Sequence, residues 1–171
     1  LQAVSGMAGT GKTYMLDACR EVWEREGYTV YGLALAGKAA RGLKVGANIE
    51  SDTLAMRLMK LDQTFFDELK HHATQLFRAA VGRPTFAFEP FRIDSRTVLV
   101  LDEAGMVGTR QMTKLIEAVE AKGAKLVLVG DAKQLQAIEA GGTFQRLAGL
   151  CGQVELAQIT RQRLHPEDPE P

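Results

Sequence analysis

Gly6-Met7-Ala8-Gly9-Thr10-Gly11-Lys12-Thr13 fits the pattern G-x-x-x-x-G-K-[ST], whose chemistry is the holding of an anion by backbone N–H groups. Glycine permits positive φ and close approach to a phosphate, and the dipole of the helix that follows adds favourable potential. Lys12 brings a point charge to the β- and γ-phosphates, and Thr13 offers a hydroxyl to Mg²⁺. Gly6, Met7, Ala8, Gly9, Thr10, Gly11, Lys12 and Thr13 are therefore the candidate nucleotide-binding residues; a glycine-rich structural turn is the plain alternative. Asp102-Glu103 carries the other half of phosphoryl chemistry, with Asp102 to hold Mg²⁺ through the waters around the ion and Glu103 to polarise the attacking water. Taken alone, the same two residues also read as a helix N-cap pair. Gln134, in Gly130-Asp131-Ala132-Lys133-Gln134-Leu135, is a neutral amide suited to sensing the last phosphate, although the stretch reads equally as a polar turn. Arg161, in Ile159-Thr160-Arg161-Gln162-Arg163, is a candidate arginine finger in cis, with Arg163 as its rival and a surface arginine as the bland reading.

These residues need elements to aim them. Leu1 to Ser5 reads as a strand running into the glycine-rich loop, and Lys12 to Glu26 as a helix whose apolar face is Met15, Leu16, Cys19, Val22 and Trp23, closed by Gly27. Tyr28 to Leu35 reads as a second strand, and Gly37 to Leu43 as a short helix. Asp52 is the expected N-cap of a helix over Thr53 to Leu61, and Asp62 of one bearing Phe65, Phe66, Leu69, Ala73, Leu76 and Phe77. Thr97 to Leu101 is apolar throughout, as a strand covered on both faces requires, and ends on Asp102-Glu103. Thr109 is the expected cap of a helix bearing Met112, Leu115, Ile116 and Val119, Gly123 ends it, and Leu126 to Val129 is a further buried strand. Such β-α-β-α alternation predicts an α/β fold with a doubly wound, mostly parallel sheet, helices on both faces, and ligands outside the carboxyl ends of the strands.

A chain of 171 residues is about one domain, and 46% apolar residues is ordinary for a globular core. Twenty-one basic against twenty-one acidic side chains cancel, so bulk charge does not advertise nucleic acid, and any such contact must be local. Cys19 and Cys151 lack C-x-x-C spacing, which excludes a disulfide framework and a cysteine zinc site and fits a reducing, cytoplasmic setting. No apolar run approaches the roughly 18 residues of a membrane segment. The chain begins at Leu1 just ahead of a motif and reads as a fragment, and residues 166–171 read as an acidic, Pro-rich, disordered tail. His71-His72, as helix neighbours, point too far apart to share a metal. Phe86, Phe88 and Phe91 lie with Arg83 and Arg92 in a Pro-flanked stretch that reads as local packing before it reads as a base-stacking surface.

The Gly6–Thr13 motif, Ala34-Leu35-Ala36-Gly37-Lys38-Ala39-Ala40, Leu101-Asp102-Glu103-Ala104-Gly105-Met106-Val107 and the stretch from Val129 to Gly141 stand in one order. Together they resemble the first RecA-like domain of RecD-like, superfamily 1B helicases, most of all the helicase portion of TraA-type conjugative relaxases. The resemblance implies a RecA-like P-loop NTPase over 1–165, the first motor domain of a longer protein, with 62–96 as an insertion, ATP and Mg²⁺ as cofactors, and a DNA helicase working 5′ to 3′. It assigns Lys12 and Thr13 to motif I, Asp102 and Glu103 to motif II, Gln134 to motif III and Arg161 to the arginine of motif IV. It also implies that Lys38, in motif Ia, and Thr53, in motif Ib, grip single-stranded DNA, and that a second RecA-like domain of the same longer chain is the partner. By the same token the adenine-reading glutamine motif would lie upstream and motifs V and VI downstream, leaving this piece with little activity alone. Leu35-Ala36 and Ala55 depart from the Pro-Thr and His that many RecD-like chains carry there. Two other readings remain: a nucleotide-regulated binding module without motor activity, and a small-molecule kinase, the latter disfavoured by Gly130-Asp131-x-x-Gln134 and the lack of an Arg-rich lid.

Overall fold

A computed structural model describes residues 1–7, 9–59, 93–131 and 142–156. The strands with no polar side to offer lie in its middle: Thr97–Leu101 is buried along its whole length, and Lys125–Gly130 from its second residue on. In chain order the elements are β1 (Gln2–Gly6), α1 (Lys12–Arg25), β2 (Thr29–Ala34), α2 (Gly37–Ala47), β3 (Glu50–Thr53), β4 (Thr97–Leu101), a 3-10 turn (Ala104–Met106), α3 (Thr109–Lys122), β5 (Lys125–Gly130), α4 (Thr143–Cys151) and β6 (Gln153–Leu156). Residues 54–59 are helical as well. The described strands form one sheet in the order β3-β2-β4-β5-β1-β6, and every adjacent pair is parallel. The α/β, doubly wound reading of the sequence is what the chain adopts.

Because side chains alternate along a strand, each central strand feeds two cores. Val4, Val30, Val98, Val100, Val127 and Val129 point to the side of α1 and α2, where Leu16, Leu43, Ala47 and Ile49 complete the layer. Leu33, Leu99, Leu101, Leu126 and Leu128 point to the other side, against Leu54, Met112, Leu115, Val119, Phe144 and Ala148. β-Branched residues thus line one face of the sheet and leucines the other. Among the described residues no helix is long and apolar enough to cross a membrane.

Several sequence expectations need correction. α2 continues to Ala47, past the expected end at Leu43, because Ala40, Leu43 and Ala47 make a buried stripe that outweighs the poor helix propensity of Gly42 and Gly46. Glu50–Thr53 is a strand rather than the start of a helix, so Asp52 is no N-cap; Thr53 Oγ1 accepts the Met56 N–H at 3.4 Å instead. Thr109 is the first residue of α3 rather than its cap, which is Gly108, and its hydroxyl lies 2.9 Å from that of Thr143. On α1 only Leu16 of the expected apolar face is fully buried; Met15 and Trp23 pack partially, and Val22 is 58% exposed. The expected insertion 62–96 up to residue 92, with its phenylalanines and His71-His72, the tail 166–171, Ala8, Gln134 and Arg161 lie outside the described residues.

Two positions on one helix should therefore part company. Leu16→Ala is expected to cost about 2–5 kcal/mol through lost burial and a residual cavity, whereas Val22→Ala should stay within about 0.5 kcal/mol, as read by urea denaturation. Equal losses at both would mean that α1 buries a different face.

Candidate functional site

Parallel register delivers the strand ends to one rim. Ser5 pairs with Gly130, Gly6 with Leu156, and Leu101 with both Leu128 and Leu33. With neighbouring strands about 4.8 Å apart, the end of β4 lies about 10 Å from that of β1, with β5 between them. A long side chain spans such a gap and a short one does not.

The chain leaves β1 into a loop in which Gly9 (φ 85°) and Gly11 (φ 81°) both take the left-handed conformation, where side chains are strained. Gly11 is the N-cap of α1 and supplies no side-chain hydrogen bond, and the first turn holds no acidic residue. The first helical bond is Met15 N–H to Gly11 O at 2.9 Å, which leaves the N–H groups of Lys12, Thr13 and Tyr14 ahead of it and directed out of the helix end. The loop is braced from within: the nearly buried Thr10 donates its hydroxyl to Met7 O at 2.9 Å. Lys12 folds back over the loop, its Nζ 2.5 Å from Gly6 O and 2.8 Å from Met7 O. At Gly6 a Cβ would lie 2.7 Å from Thr10 Oγ1 and 3.1 Å from Leu156 Cβ, so the loop and β6 press on this residue from two sides.

Across β5, the Asp102 N–H bonds to Leu33 O at 2.8 Å, carrying the β4–β2 ladder one residue past the strand. Asp102 Oδ1 accepts the Glu103 N–H at 2.9 Å. Burial pushes the Asp102 carboxyl above the ordinary carboxylate range, an effect tempered by that N–H and by the positive charge of Lys12. Lys12 and Asp102 therefore share one electrostatic environment. Glu103 has φ 55° without being glycine, and it occupies the N-cap of the 3-10 turn without making a side-chain cap bond. The capping alternative for this pair is accordingly not what its side chains do. Strained backbone of this kind gathers at functional sites.

Among the described residues no cluster of three or more His, Cys, Asp or Glu side chains forms a protein-only metal cage. Thr13 hydroxyl and Asp102 carboxylate are hard oxygen donors, and Mg²⁺ ordinarily takes one or two such groups with phosphate and water making up the rest. The residues present fit that ion.

Lys38 and Thr53 stand at another part of the rim. Thr53 ends β3, paired with Ala34 at the end of β2, and the exposed Lys38 lies in the first turn of α2. Of the other basic residues around them, Arg57 is buried, bonded to Asp52 at 2.9 Å and stacked on Tyr31 at 5.2 Å, and Lys44 pairs with Glu50 at 2.8 Å. Arg57 is structural, which its sequence position among lysines and arginines did not signal. Two further site features had no sequence signal: the left-handed Glu103, and the contact of Leu156 with Gly6 through an unanticipated edge strand.

The family described as an AAA domain matches residues 1–170. The chain is 45% identical over 163 residues to the "Probable conjugal transfer protein TraA" of Sinorhizobium fredii (strain NBRC 101917 / NGR234), covering 95% of this chain and 12% of that protein. It is 36% identical over 154 residues to the "RecBCD enzyme subunit RecD" of Mycobacterium tuberculosis (strain CDC 1551 / Oshkosh), covering 84% of the chain and 25% of the relative. It is 32% identical over 165 residues to the "Multifunctional conjugation protein TraI" of Escherichia coli (strain K12), covering 93% of the chain and 8% of that protein.

A carboxyl whose pKa is higher in the fold than in the unfolded chain, where it is about 3.9, binds its proton more tightly when folded. The stability it lends is present below the unfolded value and is lost as pH rises through the raised one. At neutral pH the Asp102 charge thus works against the fold. Asp102→Asn, which keeps an acceptor for the Glu103 N–H, is expected to raise the ligand-free melting temperature at pH 7, with the gain vanishing toward pH 3. Calorimetry across that range checks it, and a fall in melting temperature at pH 7 would count against a desolvated Asp102.

Proposed function

The chain belongs to the AAA domain family and is a RecD-like helicase domain, and on that premise we propose that it is the ATP-binding and hydrolysing first motor domain of a DNA helicase. In this reading residues 1–165 form that domain within a cytoplasmic conjugative relaxase that unwinds plasmid DNA 5′ to 3′. The chain spans 12% of its TraA relative, so the single-stranded DNA substrate and the second RecA-like domain as partner are part of the proposal. The observation that carries it is the shared rim: an uncapped helix N-terminus with a lysine folded over its loop, facing a desolvated carboxylate two strands away.

The N–H groups at the start of α1 hold the phosphates, and Lys12 exchanges its two carbonyl partners for phosphate oxygens. Thr13 and Asp102 would hold Mg²⁺, which would supply Lewis-acid neutralisation of phosphate charge. Water attacks the γ-phosphorus, Glu103 accepts its proton, and ADP leaves as the bond to the β-phosphate oxygen breaks. Gln134 senses the γ-phosphate and Arg161 offsets transition-state charge. The Arg161 role is supported by β6 ending at Leu156 beside Gly6, five residues earlier, a span of at most about 17 Å of chain. Lys38 and Thr53 contact single-stranded DNA at the β2–β3 end of the rim.

In the full-length protein Lys12→Ala should lower Mg·ATP affinity by about 100-fold, while Glu103→Gln should keep binding and reduce turnover by about 10²–10⁴-fold. Titration of ATP and steady-state phosphate release, with and without single-stranded DNA, make the measurement. Unchanged turnover in either variant removes the hydrolytic reading; tight binding without hydrolysis in the unsubstituted protein would leave the nucleotide-regulated module.

A further inference from the structure

The start of α1 is packed against the end of α2, and the contact falls on a residue of the proposed metal site. A Cβ built on Gly46 would stand 2.6 Å from Thr13 Cγ2, closer than any real carbon contact, and 3.9 Å from Thr13 Cβ. Gly42, one turn earlier on the same helix, has open space around it. Both glycines are poor helix formers relative to alanine, and only at Gly46 does a neighbour occupy the place of the missing side chain.

Neither partner is free to retreat. Thr13, Asp17 and Arg20 recur at the spacing of one helix face. Arg20 Nε donates to Ala47 O at 3.2 Å, and its guanidinium also holds Asp17 at 2.9 Å. Asn48, the left-handed C-cap of α2, donates its amide to Asp17 Oδ1 at 3.3 Å. Ala47 and Ile49, on either side of that cap, are fully buried. With both helices pinned, the least costly way to admit a methyl group at position 46 is to turn Thr13 about χ1. The threonine methyl and hydroxyl share one carbon, so moving the methyl to the next staggered well carries the hydroxyl through about 120°.

We infer that Gly46 is a positioning residue for the nucleotide-bound metal: its missing side chain lets the Thr13 methyl rest against α2 and so fixes the direction of the Thr13 hydroxyl. The inference rests on the reading of Thr13 as a Mg²⁺-binding residue. Gly46 itself touches neither nucleotide nor metal.

The test is ATP affinity of the full-length protein in EDTA and in saturating Mg²⁺, for Gly46→Ala and Gly42→Ala, and for Gly46→Ala again in a Thr13→Ser background, which deletes the methyl and keeps a hydroxyl. Gly46→Ala should lose about tenfold of the Mg²⁺-dependent gain while its affinity in EDTA stays within about twofold, the size of effect seen when a group that orients a metal ligand is disturbed. Gly42→Ala should match the unsubstituted protein. In the Thr13→Ser background, adding Gly46→Ala should change the Mg²⁺-dependent gain by less than about twofold, since no methyl remains to be displaced. A Gly46→Ala protein with its full Mg²⁺ gain, a loss that is the same in EDTA, or a loss that persists in the Thr13→Ser background each overturns the inference alone. Should the unsubstituted protein show no Mg²⁺ gain, or Thr13→Ala retain it, the metal reading itself fails and takes the inference with it.

Discussion

One cation organises the rim. The Lys12 ammonium sits between the carbonyls of Gly6 and Met7, closing the loop on itself, and its field reaches the Asp102 carboxyl on the far side of β5. Both effects depend on the parallel register that stops β1, β5 and β4 at one level. A one-residue slip of β4 would carry Val98 and Val100 into the leucine layer of the opposite face and move the acidic pair off the rim, so the two hydrophobic layers that fix the register also fix the electrostatics.

Several features at this rim are unfavourable taken singly. Asp102 is desolvated without an ion pair strong enough to restore its ordinary acidity, Glu103 holds a left-handed backbone, and the start of α1 carries no side-chain cap. None would persist in an isolated segment. They stand because the residues beneath them are locked: Leu101, Ala104 and Val107 on either side of the acidic pair are buried, and β4 is covered on both faces. The stability lies in the layers, and the rim spends part of it on groups aimed at a charged ligand, as binding sites commonly do.

How much of this could be read from the chain alone follows from where burial, rather than residue type, decides. Gly6 to Thr13 and Asp102-Glu103 were legible because phosphate chemistry demands those residue types in that order, and β4 and β5 because strands buried on both faces are apolar throughout. The edge strands were not. Glu50–Thr53 reads Glu-Ser-Asp-Thr and Gln153–Leu156 is mostly exposed; among the described strands each pairs on one side only and needs no apolar alternation. The helix caps failed for a different reason. Asp52 and Thr109 are good capping types, but Asp52 lies inside a strand and Thr109 already has helical backbone, and neither fact is local to the residue. On α1, helical spacing alone gave Val22 and Cys19 the same standing as Leu16, whereas only Leu16 is fully buried and the residues that meet α2 are the polar Thr13, Asp17 and Arg20.

That last contact gives α2 a particular place in the molecule. It is an eleven-residue helix, about 16 Å long, with Lys38 in its first turn and Gly46 in its last. At one end its approach is set by the end of β2, which also aligns Thr53 through the Ala34 pairing; at the other it is held by Arg20 and Asp17 of α1. A short, well-packed helix moves as a body rather than bending. Lys38, proposed to meet DNA, is therefore mounted on the same short helix whose last turn touches the proposed metal-binding threonine.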